Sequence, residues 1–317
     1  MSFTITREKD EDLDLLQITD LTSGIQVRIL PDTGALLQEF SIPAGNRRIM
    51  VIEGYRNQDD LRKNHLLSYR SAKLSPFVCR IAGGRYVFEG KNYEFKNKFP
   101  DGTAIHGLVA DKPFSVKEKD IQSDQASVLL QYEYREDDPA YPFTYSIEVK
   151  YTLKRKGRLE LTTRVTNLSG FRIPIADGWH PYFRLEGVTD QWLLKLRSKK
   201  MVVFDDRLIP TGKLADDTRF NTARTIGQEF FDHCFLLNDD FQQPAAVLQN
   251  PENGLRLSLY PDKTYPYVQV YTPPGRRSIA LENLSAAPDA FNNTMGLIHL
   301  GPGASQSFSV LYLLEFT

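Results

Sequence analysis

Alternation with a period of two constrains this chain more than any other feature. In "SIEVKYTLKRKGRLELTTRVTNL", Ile147, Val149, Tyr151 and Leu153 fall on one side of an extended segment, and Leu159, Leu161, Thr163 and Val165 repeat the pattern after a basic turn at Arg155-Lys156-Gly157. Successive side chains of a strand point to opposite faces, so this pattern predicts an antiparallel hairpin with one face packed and one wet. "RYVFEGKNYEF" repeats the device, with Tyr86 and Phe88 before a turn at Gly90 and Tyr93 and Phe95 after it. "GIQVRILP", "PYVQVYTP" and "FSVLYLLEF" read as further strands. Helical periodicity is confined to "NQDDLRKNHLL" (57–67), which has an acidic start, and to one turn over "GQEFFDH". Strands with turn signals between them, and no linker, low-complexity segment or repeat, predict an all-β fold: one large antiparallel β-sandwich domain over residues 1–317.

Composition narrows the function classes. The 317 residues are 41% hydrophobic and 25% charged, with a net charge of −1 and mixed signs throughout. No basic stripe points to nucleic acid or a membrane surface, and no apolar run approaches a membrane span. The N-terminal "MSFTITREKDEDLDLLQITD" is too charged for a signal peptide, so a soluble cytoplasmic protein is expected. The two cysteines, Cys79 and Cys234, read as small buried hydrophobes in a reducing compartment.

Polar residues on apolar strands mark the candidate chemistry. "DGWHPYFRL" places His180 in an aromatic stretch, with Pro181 favouring extended geometry at the histidine. Burying an imidazole there costs free energy unless its nitrogens find partners. Arg80 in "LSPFVCRIAGG" and Glu282 in "RRSIALENLSAAPDAFNN" raise the same difficulty. His106 precedes a glycine in "DGTAIHGLV", and Asp232 adjoins His233 in "FFDHCFLLN", where only one of the two can face a given pocket. His65 reads as a solvated helix residue, His299 as structural, and Trp179 as a core aromatic rather than a stacking platform. No zinc-type spacing, GxSxG elbow, P-loop or dinucleotide fingerprint occurs, so neither metal nor cofactor is expected and acid–base chemistry remains.

Four motifs in order resemble the aldose 1-epimerase (galactose mutarotase) family: "LSPFVCRIAGGRYVFEGKNYEF…GTAIHGL", "WHPYFRL", "FDHCF" and "VQVYTPPGRRSIALENLSAAPDAFN". The resemblance implies a large β-sandwich, a sugar substrate and no cofactor. It implies that Glu282 is the general base and His180 the general acid, with Arg80, His106 and Asp232 binding the sugar. Leu108 after Gly107, Gly178 two residues before His180 and Asn283 after Glu282 depart from the galactose mutarotase pattern. Mutarotase chemistry is therefore implied, but not galactose as its substrate. A hexose-6-phosphate 1-epimerase and a non-catalytic sugar-binding protein on the same fold are the alternatives, as monomer or homodimer.

Overall fold

The computed structural model describes residues 2–317. The long hairpin forms as expected, Thr144–Lys154 pairing with Arg158–Asn167 so that Ile147, Val149, Tyr151 and Leu153 face Val165, Thr163, Leu161 and Leu159. Its turn uses Lys156 and Gly157 at φ 62° and 67°, and a Cβ on Gly157 would stand 2.1 Å from the Leu314 carbonyl oxygen. The short hairpin pairs Arg85–Phe88 with Lys91–Glu94 through Glu89-Gly90. Both turn residues have positive φ, the handedness that matches strand twist.

Two large antiparallel sheets build the sandwich. One has nine strands, with the C-terminal strand Ser305–Phe316 inside it between Arg158–Asn167 and Leu255–Pro261. The other has eight, and its centre is the run Asp232–Leu237, Tyr267–Tyr271 and Ile279–Leu284. A five-stranded meander over Phe3–Met50 forms a third sheet. One apolar core joins all three, drawing Tyr151, Leu161 and Tyr312 from the first sheet, Phe235, Val268 and Leu281 from the second, and Ile18, Val27 and Phe40 from the meander. Tyr312 donates its hydroxyl hydrogen to Asn283 Oδ1 at 2.9 Å, a polar tie between the two large sheets.

The helix runs Gln58–Ser68, capped by the Asn57 side chain, which accepts from the Asp60 amide. His65 departs from expectation: it is buried, not solvated. Its Nε2–H donates to the Ala110 carbonyl at 2.8 Å and its Nδ1 accepts from the Tyr55 hydroxyl at 3.0 Å. Periodicity alone could not show that the polar side of this helix is covered by the segment around Ala110. "GQEFFDH" forms no helical turn; Gly227-Gln228 is a reverse turn leading to the strand at Asp232. Trp179 is a buried core aromatic, as expected. Among the described residues no helix is long and apolar enough to cross a membrane.

Candidate active site

The eight-stranded sheet explains why polar residues sit on its apolar strands. Cys234 pairs with Gln269 and Gln269 with Glu282, while Asp232 pairs with Tyr271 and Tyr271 with Ala280. Directly paired residues share a face, so this lattice puts Asp232, Gln269, Tyr271 and Glu282 on one side. The alternate residues Phe235, Val268, Val270 and Leu281 enter the core on the other. What reads in one dimension as the wet face of a hairpin is here the floor of a cleft of about 240 Å3.

Three loops bring the remaining side chains over that floor. His180 lies between the short strands Gly178–Trp179 and Tyr182–Phe183, and its backbone is fixed on both sides: its amide donates to Ala72 O at 3.0 Å and its carbonyl accepts from Ser71 N at 2.8 Å. His106 has φ 60°, with its amide bound to Cys79 O at 2.9 Å. The glycine after it is required, because Gly107 has φ 83° and a Cβ there would lie 2.3 Å from Ser75 O. Arg80 pairs with Ile105 across a two-residue ladder. All five residues expected from the sequence, Arg80, His106, His180, Asp232 and Glu282, line this one cleft.

At its centre His180 Nε2 stands 3.3 Å from Glu282 Oε1, both side chains buried. The His106 and His180 rings meet edge to face with centroids 4.8 Å apart, and the Tyr182 ring stacks on His180 at 5.0 Å. Gln269 Nε2 donates to Asp232 Oδ1 at 2.7 Å. Arg80 Nε, His106 Nδ1, His180 Nδ1 and Gln269 Oε1 are buried with no hydrogen-bond partner among the described residues. Buried polar atoms are almost always satisfied, so four orphans around one cavity mark a place for a polar ligand.

Burial dominates the electrostatics. It lowers His180 to about 3 and drives His106 well below its usual value, with the neighbouring His180 and Arg80 adding to the second effect. It raises Glu282 well above the usual carboxylate range; Asp232 adds to that rise and Arg80 opposes it. Asp232 is raised too, again by burial and against Arg80. His180 thus lies far below the reference imidazole value of about 6.5. Burial therefore favours the neutral imidazole and the protonated carboxyl, which face each other across 3.3 Å.

His106, His180 and Glu282 also offer three ligand atoms within 4.8 Å of one another, a set that could close on a metal ion. Sequence spacing does not disclose it, because the three come from distant segments. The fit is poor: Arg80 shares the cleft, where its guanidinium would repel a divalent cation, and Glu282 would have to lose the proton that burial favours. Sequence reasoning missed Tyr182, Gln269 and Tyr271 as cleft residues. Two of them alternate with Val268 and Val270, a signal present in "PYVQVYTP" but ambiguous until the sheet is built. None of the three departures from the galactose mutarotase pattern lines the cleft. Asn283 points into the core, and a Cβ on Gly178 would come 2.6 Å from Leu284 Cδ2.

The fold is that of the galactose mutarotase-like β-sandwich proteins. A galactose mutarotase-like protein from Clostridium acetobutylicum superposes with a TM-score of 0.88 over 100% of this chain and 99% of its own, at 21% identity. The chain belongs to the aldose 1-epimerase family, a family of isomerases, whose model matches residues 17–313. Protein YihR of Escherichia coli K12, itself uncharacterized, is 28% identical over 246 residues, 75% of this chain and 76% of its own. A maltose epimerase from Levilactobacillus brevis is 28% identical over 265 residues, 76% of this chain and 74% of its own.

Proposed function

We propose that the protein interconverts the α and β anomers of a free aldose by acid–base ring opening and closure. The observation that carries this reading is the His180–Glu282 pair, buried at 3.3 Å beside the unpartnered Arg80 Nε and His106 Nδ1. Opening the ring breaks the bond between C1 and the ring oxygen, removes the proton of the C1 hydroxyl and delivers one to the ring oxygen. Transfer of a proton from the Glu282 carboxyl to His180 produces a carboxylate and an imidazolium. The carboxylate takes the C1 hydroxyl proton as the carbonyl forms, and the imidazolium protonates the departing ring oxygen. The pair then regains its neutral form, which is set to run the step backward on either face of the carbonyl. Arg80 and His106 stabilise charge developing on the sugar oxygens, and Asp232, held by Gln269, accepts from sugar hydroxyls. Arg80 is the sole Lys or Arg lining the cleft, with Asp101 and Asp232 opposing it, which favours a neutral aldose over a sugar phosphate. The mechanism calls for no cofactor.

Saturation-transfer NMR of anomer exchange tests this. Glu282→Gln removes basicity at nearly constant volume, and His180→Asn removes the titrating group. Each folded variant should lose two or more orders of magnitude in exchange, and the double variant little more than either single, because one transfer without the other leaves a charged sugar. Near-normal exchange in folded His180→Asn would remove His180 from the mechanism and return it to a structural role. A protein that only binds sugar would give ligand shifts without any exchange.

A further inference from the structure

Another cavity, of about 340 Å3, borders the cleft through Tyr69, Phe99 and Ile105 and shares no other residue with it. Its size falls within the range of about 300–1,000 Å3 usual for ligand pockets. We propose that it binds a small organic monoammonium ion, a protonated amine on an apolar or aromatic body, at a site separate from the sugar cleft. The inference goes beyond the epimerase reading, because none of Arg80, His106, His180, Asp232 and Glu282 lines this cavity.

The lining combines apolar rings with an excess of acid. The buried rings of Phe77, Phe95 and Tyr134 line it, with Tyr69 and Phe99 on the border with the cleft. Three aspartates, Asp111, Asp137 and Asp138, face two lysines. Both lysines already have a carboxylate: Lys98 Nζ donates to Glu94 Oε1 at 2.6 Å, and Lys112 Nζ stands 3.3 Å from Asp137, which also accepts from the Tyr132 hydroxyl at 2.9 Å. Asp111, at the exposed rim, and Asp138 have no ion-pair partner among the described residues. The charge left over is negative.

Two buried polar groups point the same way. Asp138 is 8% exposed, and its Oδ1 accepts from the Ala140 amide at 2.8 Å while its Oδ2 has no hydrogen-bond partner among the described residues. Tyr69 is equally buried and its hydroxyl is also without a partner among them. Burial and the Asp111 charge push that hydroxyl up to about 12, so the carboxylate acts on it directly. An ammonium brings three N–H donors, and Asp138 Oδ2, the Asp111 carboxylate and the Tyr69 hydroxyl are the acceptors at hand. The faces of the aromatic rings attract the same cation. A metal ion fits less well: among the described residues the one three-ligand cluster is His106, His180 and Glu282, so the aspartates stand too far apart to close on it together.

Isothermal titration calorimetry of the whole chain with 2-phenylethylamine, 2-phenylethanol and phenylacetate tests this. At pH 7 the amine is protonated, and it should bind about tenfold more tightly than the alcohol of the same shape, the worth of a charged hydrogen bond. Asp138→Asn keeps an oxygen for the Ala140 amide but removes the charge, and Asp111→Asn is an exposed change. Each should weaken the amine about tenfold and leave the alcohol where it was. Asp111→Asn decides the matter if Asp138→Asn does not fold. His180→Asn, in the cleft, should leave the affinity for the amine unchanged. Equal affinity for amine and alcohol, or amine binding that survives both aspartate variants, overturns the inference. So does a preference for phenylacetate, which would make Lys98 and Lys112 the recognising charges of an anion site. Loss of the amine in His180→Asn would place the probe in the cleft and overturn it as well, as would binding of none of the three. The exchange measurements on glucose and other aldoses stand independently of all these outcomes.

Discussion

His65 and His180 are both buried imidazoles, and their partners separate them. His65 has both ring nitrogens satisfied, by Tyr55 and by Ala110 O, so it is fixed as a neutral structural tautomer. His180 has an orphaned Nδ1 and a carboxyl group beside Nε2. The difference has a measurable consequence in acid. Burial lowers the pKa of His65 in the folded protein. The unfolded chain therefore binds a proton there below about pH 6.5 while the folded protein does not, and His65 disfavours folding increasingly as pH falls through that point. His65→Gln lacks this proton. The variant should be less stable than the parent at pH 7.5, having lost matched hydrogen bonds, and the gap should narrow between pH 6.5 and 5 in urea unfolding. A gap that widens in acid would mean that the folded protein protonates His65 after all.

At the scale of elements, the strand leading to His180 hangs on a buried ion pair. Lys73 Nζ donates to Asp177 Oδ1 at 2.6 Å and to Gly178 O at 2.9 Å, and Tyr265 donates to the same carboxylate oxygen at 2.6 Å. Lys73 and Asp177 are both fully buried, and the ammonium lies 4.6 Å over the Trp179 ring. Burial brings Lys73 down to about 8, with Asp177 holding it up. Lys73→Met would strand a buried carboxylate and should cost about 3–5 kcal/mol. Lys73→Met with Asp177→Asn removes both charges while leaving an acceptor for Tyr265, and should recover most of that loss in denaturant midpoint. Failure of the double variant to recover would assign the cost to packing of the lysine stem rather than to the unpaired charge. The pair was hidden in the sequence because Lys73 and Asp177 lie 104 residues apart.

For the whole molecule, the last strand matters most. Ser305–Phe316 has a hydrogen-bonded neighbour on each side in the nine-stranded sheet. It buries Phe308, Val310, Tyr312 and Leu314 in the common core. Ending the chain at Ala304 would open two unpaired edges inside a sheet and remove the Tyr312 bond to Asn283. Such a chain should show no cooperative unfolding transition, whereas starting the chain at Thr6, which shortens the edge strand Phe3–Asp10 of the N-terminal meander, should leave one. Circular dichroism with thermal melts of the two truncations checks this.

The sequence by itself determined the class of fold and most of the turns, because side-chain period and glycine chemistry are local. Tyr151 facing Leu161 across Lys156-Gly157 needs no information from elsewhere in the chain. It also singled out Arg80, His106, His180, Asp232 and Glu282, since a polar residue on an apolar strand is conspicuous without any neighbour, and the motif order that resembles the family rests on the same residues. Only the tertiary structure decided which faces are wet. Gln269 and Tyr271 obey the same alternation as a solvated edge, yet they floor a cleft because Tyr182 and the His180 loop cover that face. Only the fold likewise showed His65 to be core and shifted His180 down and Glu282 up from their usual values. Desolvation depends on everything packed around a group, and part of what buries these side chains is distant in the chain, Ala110 beside His65 and Glu282 beside His180.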